Sequence, residues 1–134
     1  MKSLTTDAFE RACELVLRVG RPLEQDQFKY IFGEETVDEV LAEMSKLQND
    51  DGGFDHGMEP DIEIPNSSPL CSSVAFQVLR ELEVADDHEI VRSGISYFAN
   101  SYKPEISGWD PTGPDFDEFD RTPWQGSIRR SRID

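Results

Sequence analysis

The chain has 134 residues, a natural size for one domain, and its 37% hydrophobic content is lean for a buried core. Acidic residues outnumber basic ones 28 to 13, and the formal charge of −15 would repel a nucleic-acid backbone or an anionic bilayer. No apolar run approaches the ~20 residues that cross a membrane.

The N-terminal stretch MKSLTTDAFERACELV is amphipathic and carries acids, unlike a secretory signal peptide. Its pattern predicts a first helix from Asp7 to Arg18, with Phe9, Ala12, Cys13, Val16 and Leu17 on one stripe and Gly20 and Pro22 as breakers. The next segment, LEQDQFKYIF, has a weaker pattern and predicts at most a short helical piece. Cys13 and Cys71 both sit in apolar helical patterns and form no CxxC. Buried reduced thiols and a cytoplasmic location are therefore expected.

A second helix is predicted to start at TVDE, where Thr36 and Glu39 have capping-box spacing. Val37, Val40, Leu41, Met44 and Leu47 share its apolar face, and Gly52 and Gly53 end it. A third is announced by Ser68 as cap and Pro69 at the first helical position. Leu70, Cys71, Val74, Ala75, Val78, Leu79 and Leu82 give it a broad apolar face, which predicts an inner, nearly enclosed helix. A fourth follows ADDHE, capped by Asp86 or Asp87, with Ile90, Val91, Gly94, Ile95, Phe98 and Tyr102 on one face. Beyond Pro104 the periodicity stops. GWDPTGPDFDEFDRTPW reads as loop and SIRRSRID as a basic tail. No strand signal competes, so an all-α chain is expected: one helical domain over 1–124, then a tail over 125–134 that is disordered or foreign to the fold.

The chain also repeats itself. VDEVLAEMSKLQNDDGGF can be laid on VRSGISYFANSYKPEISGW, so that Val37, Leu41 and Met44 meet Val91, Ile95 and Phe98, and Gly53-Phe54 meets Gly108-Trp109. A repeat of about this length, built of helix pairs, signals a helical array. Two glycines permit a tight turn, an aromatic can fold back on the helix end, and Gln48 has donors and acceptors to tie the loop.

The run from Gln48 to Phe54, QNDDGGF, resembles the Gln–Gly–Trp repeat motif of the terpenoid cyclase and protein prenyltransferase superfamily. The stretch from Asp51 to Phe98 is similar to a group of bacterial relatives of those enzymes, and the resemblance runs from about residue 36 to 124. It differs from the motif in carrying Phe54 where Trp is usual, and in lacking the Gln before Gly108-Trp109. The resemblance implies an α/α toroid, of which this chain holds part. It therefore implies uncovered apolar faces, and with them a truncated form of a longer protein or a homo-oligomer. It also places Glu59, Asp61, Ser67 and Ser68 on the rim of a pocket for an apolar or isoprenoid-like ligand.

Chemistry is sparser. Counting back from Gly52 puts Leu47 where an EF-hand needs its first acid, and no Cys/His cluster has zinc spacing, so neither a metal nor a cofactor is expected. Asp115-Phe116-Asp117-Glu118 resembles the Asp-rich acid motif of class II terpenoid cyclases. Asp115 and Asp117 are then the candidate catalytic acids of an enzyme, with Phe116, Phe119 and Trp124 as apolar walls that keep one acid protonated. His56, between Asp55 and Gly57, is the candidate general acid/base. A non-catalytic binding or self-association module is the favoured expectation, because a part toroid cannot enclose the dry cavity that carbocation chemistry needs.

Overall fold

The structure is a computed structural model and describes residues 3–55, 57–61 and 64–112. Among them it is all-α, with five α-helices, no strand, and three isolated β-bridges. The helices are α1 (Thr6–Val19), α2 (Pro22–Ile31), α3 (Val37–Lys46), α4 (Pro69–Glu81) and α5 (Glu89–Ser101), followed by a single 3-10 turn over Pro104–Ile106. Within the stretch expected to be one domain, the contacts cluster into two compact units that divide between Lys46 and Leu47.

The first unit holds α1 to α3. Thr5 caps α1, its hydroxyl accepting from the Ala8 N–H at 3.2 Å. Gly20 ends it, donating its N–H to the Val16 carbonyl at 2.8 Å. None of the residues of α1 is buried. The weak LEQDQFKYIF pattern forms a full ten-residue helix, because Pro22 sits at its start and Arg21 pairs with Glu24 across the first turn. Phe32 ties α1 to α2, with its ring 5.1 Å from Phe9 and 4.6 Å from Phe28. Glu39 anchors the start of α3, accepting from the Thr36 N–H at 2.5 Å and the Thr36 hydroxyl at 2.9 Å. These donors hold its carboxyl below the usual range. Val40, Leu41 and Met44 are buried.

The second unit holds α4 and α5. Ser68 caps α4 through a 3.1 Å bond from the Cys71 N–H. Burial on α4 is one-sided: Cys71, Ser72, Ala75 and Leu79 are buried, whereas Ser73 and Gln77 are exposed and Val74 and Val78 are part-exposed. The nearly enclosed inner helix expected from its charge-free run is therefore not what forms. The cap of α5 also differs from expectation. It is His88, whose Nδ1 accepts from the Ile90 N–H at 3.3 Å, and not Asp86 or Asp87. The buried face of α5 is Ile90, Val91, Gly94 and Tyr97, while Ile95 and Tyr102 are exposed. A stripe that includes Ile95 would be rotated away from α4. The packing keeps Ile90, Val91 and Gly94 of the expected stripe and extends it to Tyr97, and at Gly94 any Cβ would meet the Phe76 ring at 2.4 Å.

Candidate functional site

The first part of the stretch that stands out in the sequence, Gln48 to Asp55, is a turn wedged between α4 and α5. Gln48 spans it: its Nε2 donates to the Gly52 carbonyl at 2.9 Å and to the Ile90 carbonyl in the first turn of α5 at 3.1 Å. The Asn49 N–H donates to the Gly53 carbonyl at 2.8 Å, and the Gly52 N–H to the Asn49 carbonyl at 2.9 Å. Asp51 is exposed but tied, accepting from the Gly53 N–H at 2.9 Å and the Ser67 hydroxyl at 2.7 Å. Asn49 reaches the same hydroxyl at 2.9 Å and the Pro65 carbonyl at 3.1 Å.

The two glycines are needed for different reasons. Gly52 has φ +87°, and a Cβ there would lie 2.2 Å from the Ser93 carbonyl oxygen. Gly53 has ordinary backbone, but a Cβ would lie 2.5 Å from Cβ of Ser67 and 2.8 Å from the Tyr97 ring. The turn thus presses directly on α5 and on the entry to α4. Phe54 follows and is 0% exposed. It is paired by isolated bridges to Gln48 on one side and Ser68 on the other. Its N–H donates to the Ser72 hydroxyl at 2.9 Å, and its carbonyl accepts from the Ser68 N–H at 3.2 Å.

The pocket-rim expectations meet this geometry unevenly. Ser68 is buried and occupied as a helix cap. Ser67 is part-exposed and held between Asn49 and Asp51. Glu59 is part-exposed and Asp61 exposed. His56, Asp115 and Asp117 lie outside the described residues. Gly108 and Trp109 close a second turn by a Lys103–Gly108 bridge, in which the Lys103 N–H donates to the Gly108 carbonyl at 2.8 Å. Here Ser107, not the glycine, takes the left-handed conformation, with φ +51°. Trp109 packs on Phe98 and Tyr102 with ring centroids at 5.9 and 5.2 Å, and its Nε1–H donates to the Phe98 carbonyl at 2.7 Å. It remains 43% exposed.

The sequence leaves the stretch from Asp55 to Glu59 a claim to a site but gives Asp55 itself no role, and the structure singles it out. It is 0% exposed, although Asp50, Asp51, Glu59 and Asp61 lie close by in sequence. Oδ1 accepts from the Ile64 N–H at 3.3 Å, and Oδ2 is buried with no hydrogen-bond partner among the described residues. Burial pushes its carboxyl up, partly offset by the Ile64 N–H, the Cys71 thiol, the Ser68 hydroxyl and the Gly57 N–H. Burial likewise pushes the Cys71 thiol up to about 11, and the nearby Asp55 charge adds to this. Burial pushes Tyr97 up to about 12, with Asp51, Asp55 and Cys71 adding to it. A thiol so placed is a packing group, not a nucleophile. The only sequence signal for Asp55 is that it directly follows an aromatic that must be buried.

Among the described residues, no three His, Cys, Asp or Glu side chains are grouped to hold a metal ion. No described helix is long and apolar enough to cross a membrane. Comparisons of the chain with protein-family models, with curated proteins and with solved structures find no match.

Proposed function

We propose that this chain is a helical-repeat protein of terpenoid cyclase-like, part-toroid fold, working as a non-catalytic binding module whose uncovered helix faces associate with a second copy. One contrast carries the reading. Phe54 and Trp109 occupy corresponding places after the two Gly-containing turns. Phe54 is enclosed by the start of α4, while Trp109 stands 43% exposed against exposed Tyr102, and Ile95 on α5 and Ile106 in the following turn are exposed as well. In an array of helix pairs each apolar face is covered by the next repeat. Large apolar side chains left exposed on one helix and the turn after it are the material of an interaction surface.

The formal charge of −15 per chain opposes self-association through long-range repulsion, which salt screens. Sedimentation velocity across a wide concentration range is therefore expected to show a monomer–oligomer equilibrium that strengthens with added salt. The double change Ile95→Ala and Trp109→Ala is expected to weaken it. A strict monomer at every concentration and salt level would overturn the reading. Incubation with isoprenoid diphosphates or squalene provides the opposing outcome: turnover that is lost on Asp117→Asn would replace the binding module with a carboxylic-acid-dependent enzyme.

A further inference from the structure

We propose that Asp55 is a proton-operated latch: with its carboxyl neutral, the 52–55 turn closes over Cys71 at the start of α4, and on ionisation the junction opens to admit water and exposes the thiol. The geometry behind this is an incomplete shell around a wholly enclosed acid. Asp55 is 0% exposed, Oδ1 takes one bond of 3.3 Å, Oδ2 takes none among the described residues, and the Cys71 thiol, Ser68 hydroxyl and Gly57 N–H close by are all neutral groups. A neutral carboxyl tolerates this, since a protonated oxygen needs far less solvation. A buried carboxylate with a bare oxygen costs several kcal/mol unless a cation or more donors reach it.

The groups around Asp55 cannot supply that charge. The Cys71 thiol on α4 and the Tyr97 hydroxyl on α5 are neutral, Asp51 in the same turn is acidic, and Glu59 meets Cys71 through its backbone. The Ser68 hydroxyl accepts from the Cys71 N–H as the α4 cap, and its proton can offer Asp55 a neutral donor but no charge. His56, next in sequence, lies outside the described residues, so its own titration must be separated by experiment.

Opening is the remaining way to hydrate the carboxylate, and at the Phe54–Asp55 end of the turn it breaks Ile64 N–H to Asp55, Ser68 N–H to Phe54 at 3.2 Å, Phe54 N–H to the Ser72 hydroxyl at 2.9 Å, and Asp55 N–H to Leu47 at 3.1 Å. The sign is set by linkage. A carboxyl held above its unfolded value contributes stability that is full below the unfolded pKa and is lost as pH rises through the folded one. The closed junction is thus the acid form.

Cys71 reports on the junction directly, because it is fully buried and becomes the sole thiol once Cys13 is replaced by serine. The Cys13→Ser chain is labelled with 4,4′-dithiodipyridine from mildly acidic to mildly alkaline pH. Rates are divided by those of the same chain carrying Asp55→Asn. The ratio is expected to rise severalfold with pH, because only the unmodified carboxyl can ionise and open the junction. Removing the Asp55 charge also makes the thiol easier to ionise, which would lower the ratio, so a rise is diagnostic. A flat ratio overturns the latch. His56→Gln is expected to leave the rise intact, and loss of the rise would transfer it to the histidine and overturn the proposal. Should Asp55→Asn fail to fold, hydrogen exchange at the Phe54 and Cys71 amides of the unmodified chain decides the matter. An opening constant that grows with pH supports the latch, and a constant one overturns it.

Discussion

Replacing Gly52 with alanine is expected to destabilise the second unit by roughly 2–5 kcal/mol. Two costs combine. A residue with a Cβ held at φ +87° is strained by about 1–2 kcal/mol. The added carbon would also stand 2.2 Å from the Ser93 carbonyl oxygen, a backbone atom of α5 that no side-chain rotation can move. Relief requires the turn to lift off the helix, which breaks the Gln48 bonds to Gly52 and Ile90 as well. Gly33 supplies the control. It has φ +78°, but nothing lies within 4 Å of where its Cβ would be, so Gly33→Ala is expected to show only the conformational cost. Urea denaturation of the two variants against the unmodified chain measures the difference. Equal losses would mean that the close approach to α5 contributes nothing.

Phe54→Ala is expected to cost about 3–5 kcal/mol, the range for removing a wholly buried aromatic ring whose space cannot collapse. The surroundings are stiff on both sides. Gln48 and Ser68 bridge the backbone of Phe54, and the Ser72 hydroxyl holds its N–H. Trp109→Ala removes a larger ring from the corresponding place but is expected to cost less, about 1–2 kcal/mol, because the ring is already 43% in water. Its loss removes one hydrogen bond to the Phe98 carbonyl and two edge-on ring contacts. The ordering of these two variants in a denaturation series tests the asymmetry on which the self-association proposal rests. A Trp109 variant as unstable as the Phe54 variant would make that ring a core residue and remove the face.

Local signals in the sequence carried a good deal of this. The Thr36–Glu39 spacing and the Ser68-Pro69 pair mark helix starts through hydrogen bonds within one turn, so they are legible without knowing the fold. Long-range choices are different. Asp86, Asp87 and His88 all precede α5, and which of them caps depends on where the chain turns after α4. Ile95 and Tyr97 compete for the buried side of α5, and periodicity favours the more hydrophobic one. The decision rests on Gly94, which lets Phe76 approach and so rotates Tyr97 inward. The weak pattern at 23–32 hides a helix, because much of its support is ionic and aromatic and not a clean apolar stripe.

QNDDGGFD divides between what near neighbours set and what the packed fold sets. From sequence, paired glycines, a nearby Gln and a following aromatic already describe a tight turn off a helix, since those properties belong to single residues and near neighbours. What alone cannot be read there is the partner set: Ser93 under Gly52, Ser67 and Tyr97 against Gly53, and Ser72 on the Phe54 amide. Those residues come from up to 44 positions away and meet the turn only once α4 and α5 have packed. The same packing takes Asp55, one acid among 28, and seals it from water. Composition, charge and helical class follow from the residues one by one. Which acid is solvated and which is buried follows only from what surrounds it, because desolvation is a property of the assembled neighbourhood.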